Sequence, residues 1–240
     1  MSTGKGGYRV IPKRLHYVWV GGPLPDLQRS YIESWRQTNP DYEIVGWNES
    51  NIDFSVPMIR AALKDRKWAK VADIVRLMAV AEQGGIYFDT DFKVLRSLEP
   101  TRHRSCFFAF QEPDASPDWI ANGVFGAEPG HRFVRKAVER LLSKRRMPLS
   151  LERPTSFGPK LITKLLREEG LMSYSPDGMQ VGDVFIYPTP VFFPFSWREE
   201  FDPSCIGEET LAVHFWEKSW DRDVPLPLRL VRSARALAMR

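Results

Sequence analysis

Asp89 and Asp91, in the segment Ile86-Tyr-Phe-Asp-Thr-Asp-Phe92, are the residues whose type and spacing first suggest chemistry. If this segment is a strand, its period of two points both carboxylates to one side. Carboxylates so placed repel each other, and either one takes up a proton or the pair recruits a cation. Oxygen donors suit a hard divalent ion such as Mn2+ or Mg2+. An ion held by so few carboxylates keeps open positions that a diphosphate can fill. The triplet also reads as a solvated turn at a strand end, where Asp is common.

Three more groups lie elsewhere in the chain. Asp73 and Arg76 stand three residues apart on a segment that is otherwise nearly all apolar, Ala69 to Val80, a spacing at which helical side chains pair. Such a pair is either a buried structural bridge or part of a site, since burying charges is seldom the cheapest route to stability. Trp19 falls at the carboxyl end of the first apolar run, beside Gly21-Gly22. Ligands of open α/β sheets bind outside those strand ends, so its indole either stacks on a nucleobase or packs into the core. His214, in His214-Phe-Trp-Glu-Lys-Ser-Trp220, is either a packed core histidine or a third metal partner for the aspartates.

The elements that must position these groups follow from periodicity. Arg14 to Val20 reads as a strand ending at a glycine turn, Leu27 to Gln37 as a helix, and Tyr42 to Trp47 as a second strand, the opening of a βαβ unit. Helices are predicted over Val56 to Asp65 and Ala69 to Gln83, the latter capped by Gly84-Gly85. Strands follow at Ile86 to Phe92, Ser105 to Gln111, Asp183 to Tyr187 and Leu211 to Trp216. Helices are predicted at His131 to Arg146 and Gly158 to Glu169. Residues 188–203, rich in proline and aromatics, give no pattern. The alternation predicts an α/β domain with a mainly parallel sheet, and 240 residues without a linker or repeat predict one domain.

Composition narrows the function classes. Cys106 and Cys205 make neither a disulfide framework nor a zinc site, and a reduced, cytoplasmic setting is expected. No apolar run reaches the ~20 residues that span a bilayer. The net charge of +4 invites a nucleic-acid-binding reading. Much of the excess lies in Lys144-Arg145-Arg146 and in the tail 222–240, however, away from every motif above, and a non-catalytic basic module leaves the aspartate pair unexplained. In that tail, Leu230, Val231, Ala234, Leu237 and Ala238 share a helical face. The tail either docks on the domain or makes peripheral contact with the inner face of an anionic membrane.

Taken together, the motifs resemble the glycosyltransferase family named for its sugar-binding DXD motif. This family includes bacterial capsular sugar transferases and yeast initiating mannosyltransferases, with the catalytic domains of large clostridial glucosylating toxins as distant relatives. The segments that carry the resemblance are Ile11 to Gly22, Lys70 to Arg76, Gly84 to Asp91 and His214 to Trp220, in the family's order, with weaker matches at Asn122-Gly123 and Gly158-Pro159. The resemblance implies a GT-A fold with a Rossmann-like sheet flanked by helices. It also implies a nucleotide-sugar donor (a UDP-sugar, with GDP-mannose as the alternative), Mn2+ or Mg2+, a glycan or small-molecule acceptor, and retention of anomeric configuration. Carried over by position, Trp19 stacks on the base, with Val18, Gly21 and Gly158 as further donor contacts. Asp73 and Arg76 hold the sugar and diphosphate, and Asp89 contacts ribose or sugar hydroxyls and the metal. Asp91 is the principal metal ligand and His214 the third. Asn122 lines the sugar pocket, and Ser219 and Trp220 close over the diphosphate. A toxin-like protein acceptor is the alternative within the same chemistry. A phosphohydrolase would need more carboxylates at strand ends than the sequence offers.

Overall fold

The computed structural model describes residues 10–143 and 158–217. The basic run 144–146, Ser219, Trp220 and the tail 222–240 lie outside the described residues. In chain order the elements are β1 (Arg14–Val18), α1 (Asp26–Thr38), β2 (Glu43–Trp47), α2 (Pro57–Lys64), α3 (Trp68–Gln83), β3 (Gly85–Phe88), β4 (Phe92–Val94), β5 (Cys106–Phe110), β6 (Ile120–Ala127), α4 (Arg132–Leu142), α5 (Pro159–Glu168), β7 (Met179–Val181), β8 (Val184–Tyr187), α6 (Thr189–Phe192) and β9 (Ala212–His214). No described helix is long and apolar enough to cross a membrane.

Seven strands form one sheet in the order β2-β1-β3-β6-β5-β8-β7, and β4 pairs with β9 in a separate ribbon. In the large sheet β2, β1, β3, β5 and β8 run one way and β6 and β7 run against them. The mainly parallel sheet is therefore present. Its strands are apolar on both faces because helices cover both, as parallel sheets require. On β3, Ile86 and Phe88 pack toward Trp35 of α1, while Tyr87 joins the opposite core with α3, α4 and α5. On β5, Phe107 and Ala109 take the first side and Phe108 and Phe110 the second. Phe108 stacks flat on Phe125 of β6 with ring centres 4.9 Å apart.

The structure departs from the sequence reading in six places. The predicted strand Ile86 to Phe92 is two strands, and Asp89-Thr90-Asp91 is the bend between them, with the Phe92 amide bonding back to the Asp89 carbonyl. The aspartates thus meet across a turn and not along one strand face. Strand β6 was missed because Asn122-Gly123 and Gly126 read as turn residues. Both glycines instead admit neighbours: a Cβ on Gly126 would stand 2.5 Å from the Phe107 ring. Strand β7 and helix α6 were also missed, and β1 and β9 stop at Val18 and His214, two residues before their predicted ends.

The junction between α3 and β3 fixes the strand that leads to the site. Gly84 and Gly85 both adopt positive φ (63° and 103°), a region open to glycine at no steric cost. The Gly84 carbonyl is bonded by Nε2 of His16 at 2.8 Å, and His16 Nδ1 accepts from Trp47 Nε1 at 3.1 Å. These partners specify a neutral imidazole with its proton on Nε2. Burial lowers the His16 pKa from 6.5 to about 4, against a raising contribution from the Gly84 carbonyl. The unfolded chain therefore binds the extra proton between about pH 6.5 and 4, so stability is complete above that window and falls on acidification through it. The expected loss from this group is about 3 kcal/mol. Urea midpoints at pH 7.5 and 4.5 should differ less in His16→Gln than in the parent; equal differences would show that His16 is not responsible.

Candidate active site

A cleft of about 680 Å³ opens at the carboxyl ends of β1 and β3, bounded by α3, β6 and the segment after β9. Its volume lies within the range of small-molecule sites. Arg76 lines it, projected from the middle of α3 with its side chain only 6% exposed. Its Nη1 donates to the Asn122 carbonyl at 2.8 Å and to Asp89 Oδ2 at 3.3 Å, and its Nη2 lies 3.4 Å from Asp73 Oδ1. Burial opposes the charge on Arg76, but Asp89, Tyr87 and Asp73 outweigh it and hold the guanidinium more firmly protonated than usual. Asn122 donates to Asp73 Oδ1 at 2.8 Å, and the Tyr87 hydroxyl donates to Asp89 Oδ1 at 2.8 Å. Burial raises the Asp89 carboxyl above its usual range and Asp91 adds to the rise, while Arg76 opposes it. The i, i+3 pairing of Asp73 and Arg76 thus exists as one edge of a five-residue polar network.

A group of side chains that could hold a metal ion lies beside it. One ligand atom each from Asp89, Asp91 and His214 falls within 4.8 Å of the others. The β4–β9 ribbon makes this convergence: its register sets Phe92 opposite His214, and the Phe215 amide bonds the Asp91 carbonyl at 3.0 Å. The His214 ring stacks on Phe92 with centres 4.5 Å apart. Its Nε2 is 3.0 Å from Asp91 Oδ1, and its buried Nδ1 has no hydrogen-bond partner among the described residues. Three carboxylates (Asp73, Asp89, Asp91) against one guanidinium leave an excess of negative charge, which suits a divalent cation.

Nine of the residues singled out in the sequence line the cleft. Val18, Trp19, Gly21, Asp73, Arg76, Asp89, Asp91, Asn122 and His214 all do so. Gly158 stands behind, where any Cβ would collide with the Asn122 amide. Trp19 is partly exposed, with its indole N–H on the Gly22 carbonyl at 3.1 Å. The sequence reading passed over Trp68, which also lines the cleft and lies so close to the glycine turn that a Cβ on Gly21 would stand 2.6 Å from its ring. It also passed over Tyr87, which sits in full view inside the aspartate motif. A third omission is the steric role of Gly123, where a Cβ would stand 2.7 Å from Asp89 Oδ2. Gly123→Ala is expected to displace Asp89 and lower turnover by roughly 10²-fold with unchanged circular dichroism. Parental turnover in that variant would mean that the Asp89 position is not critical.

Comparison with known proteins bears on this geometry. Residues 25–108 match the family described as glycosyltransferase sugar-binding region containing DXD motif. The chain carries that family's DXD region. It is 29% identical over 136 residues to inositol phosphoceramide mannosyltransferase 3 of Schizosaccharomyces pombe, covering 55% of this chain and 37% of that protein. It is 28% identical over 168 residues to human alpha-1,4-N-acetylglucosaminyltransferase, covering 65% and 45%. The chain thus spans less than half the length of these relatives. The solved structure of the PaToxG glycosyltransferase superposes with a TM-score of 0.56 at 17% identity, over 68% of this chain and 71% of that one. The fold that carries the DXD region here is GT-A.

Proposed function

We propose that this chain is a metal-dependent, retaining glycosyltransferase. It moves a hexose from a nucleotide-diphosphate sugar, a UDP-sugar before GDP-mannose, to a glycan or small-molecule acceptor. The observation that carries the reading is the convergence of Asp89, Asp91 and His214 beside the buried Arg76, in a cleft with Trp19 at its other end. The mannosyltransferase and N-acetylglucosaminyltransferase relatives support a sugar donor.

Two carboxylates and an imidazole, with one ligand atom each within 4.8 Å of the others, form a donor set that fits Mn2+ or Mg2+. When bound, such an ion neutralises the charge that develops on the departing diphosphate. Arg76 adds a fixed positive charge from the opposite side, preorganised by its bonds to Asn122, Asp73 and Asp89. Asp73 and Asp89 both line the cleft, where sugar or ribose hydroxyls would meet them. In the transfer, the acceptor oxygen bonds to the anomeric carbon as the bond from that carbon to the diphosphate oxygen breaks. The bonding pair leaves with the diphosphate, which takes up the acceptor proton. Asp73 and Asp89 are engaged by Arg76, and Asp91 by His214, so attack from the leaving-group side fits better than a carboxylate nucleophile. A sugar trapped covalently on the protein would exclude it.

The test is a thermal-shift screen of UDP, GDP and their sugars with and without Mn2+, followed by donor hydrolysis in Mn2+ and in chelator. Stabilisation should require metal and nucleotide together and reach about 2.7 kcal/mol at 100 times the dissociation constant. No response to any nucleotide would overturn the reading. Trp19→Ala is expected to weaken nucleotide binding by about 1–3 kcal/mol, the worth of one stacked base, with little change in turnover at saturating donor. An unchanged dissociation constant would place the base elsewhere.

A further inference from the structure

The reading above fills the cleft from Trp19 to His214 and leaves one corner unused. There Gln111 at the end of β5, Asp118 before β6 and Trp197 in the segment after α6 come together on the cleft wall. Gln111 Nε2 donates to the Asp118 carbonyl, and the Gln111 amide bonds the Trp119 carbonyl at 3.1 Å. Trp119 Nε1 donates to the Glu112 carbonyl at 2.9 Å, and Glu112 Oε1 accepts from Trp197 Nε1 at 2.9 Å. The corner is one continuous hydrogen-bonded unit, with Trp197 tethered by its indole N–H. Even so, Trp197 is 47% exposed. Asp118 Oδ1 accepts from Ser116 at 3.2 Å, leaving its carboxylate capacity for other donors.

We infer that Trp197, Gln111 and Asp118 form the acceptor subsite and that it takes an uncharged sugar ring. This rests on the donor reading above, which assigns the rest of the cleft to nucleotide, metal and transferred sugar. The chemistry is complementary. The C–H face of a pyranose is apolar and flat enough to lie on an indole, which offers a large area at little entropic cost because its orientation is already fixed. Around the ring edge the hydroxyls need acceptors and donors together, which a carboxylate and an amide supply. Charge decides the class of acceptor. Among the described lining residues Arg76 is the sole lysine or arginine, and it is committed to Asp73, Asp89 and Asn122. Arg198 packs over the Trp197 ring, 4.9 Å from its centre, but does not line the cleft. A phosphorylated headgroup would bring its negative charge toward Asp118, with no uncommitted cation among the described lining residues to meet it.

The test uses the full chain saturated with Mn2+ and UDP, or GDP if that nucleotide gives the larger thermal shift. Methyl glycosides of glucose, galactose and mannose are titrated by saturation-transfer NMR, with inositol 1-phosphate as the anionic counterpart. At least one neutral glycoside should bind more tightly than inositol 1-phosphate. Its dissociation constant should rise tenfold or more in Trp197→Ala and return toward the parental value in Trp197→Phe. The nucleotide-dependent thermal shift of each variant serves as the check on folding. Failure of every glycoside to bind, or binding untouched by Trp197→Ala, overturns the subsite. Tighter binding of inositol 1-phosphate that is lost in Arg198→Ala replaces it with an anionic acceptor. Absence of any nucleotide shift in the parent chain refutes the donor reading instead, and so separates the two failures.

Discussion

Asp91→Asn is expected to remove nucleotide-sugar turnover by roughly 10³-fold, the scale of losing a main electrostatic contact to the developing charge. The substitution keeps shape and retains an oxygen that can accept from the His214 ring, 3.0 Å away in the parent. The melting temperature without ligand should therefore stay close to that of the parent. What is lost is anionic character at the bend, on which a hard cation depends. The metal-dependent part of the nucleotide stabilisation, about 2.7 kcal/mol at 100 times the dissociation constant, should vanish with it. Turnover and calorimetry with and without Mn2+ check both halves. Near-parental turnover would refute the central assignment, and a collapse of the ligand-free melting temperature would make Asp91 a structural residue.

The second large effect concerns stability. Arg76→Met keeps an unbranched apolar stem but leaves Asp73, 8% exposed at its side chain, and Asp89 facing each other without their shared cation. Removing one partner from a buried ionic group costs about 3–5 kcal/mol because the remaining charge stays desolvated. For a chain of this size that corresponds to a melting temperature lower by roughly 6–20 °C. Adding Asp73→Asn should recover part of the loss, since the neutral amide can still pair with Asn122. A double-mutant cycle by calorimetry measures the coupling. Strict additivity would mean that Arg76 and Asp73 do not interact, contrary to their 3.4 Å approach.

Much of this site was legible in sequence because its polar residues stand out from apolar surroundings. Asp73 and Arg76 are conspicuous on α3, and Trp19 is placed by the glycine turn that ends β1. What misled was any inference that relied on continuous secondary structure. The aspartates were expected to share a face because a strand was assumed to run through them, but the chain bends between them so that β4 can leave the main sheet for β9. Strand β6 was invisible because the property that makes Gly123 useful, room for a carboxylate beside a backbone, is the same property that marks a turn. Trp68 was unreadable for a related reason. Its role depends on a backbone passing over it from residue 21, and no local pattern records such a crossing.

The β4–β9 ribbon has a consequence for the order in which the protein becomes competent. Asp91 and His214 are separated by 123 residues, and closing so long a loop is entropically unfavourable until intervening contacts exist. During synthesis a chain that has emerged as far as Cys205 already contains both aspartates, every strand of the main sheet and the helices that flank it, but not the imidazole. On the proposed reading the Asp89–Asp91–His214 set is complete only once β9 pairs with β4, and metal-dependent protection from proteolysis should appear later than protection of the sheet.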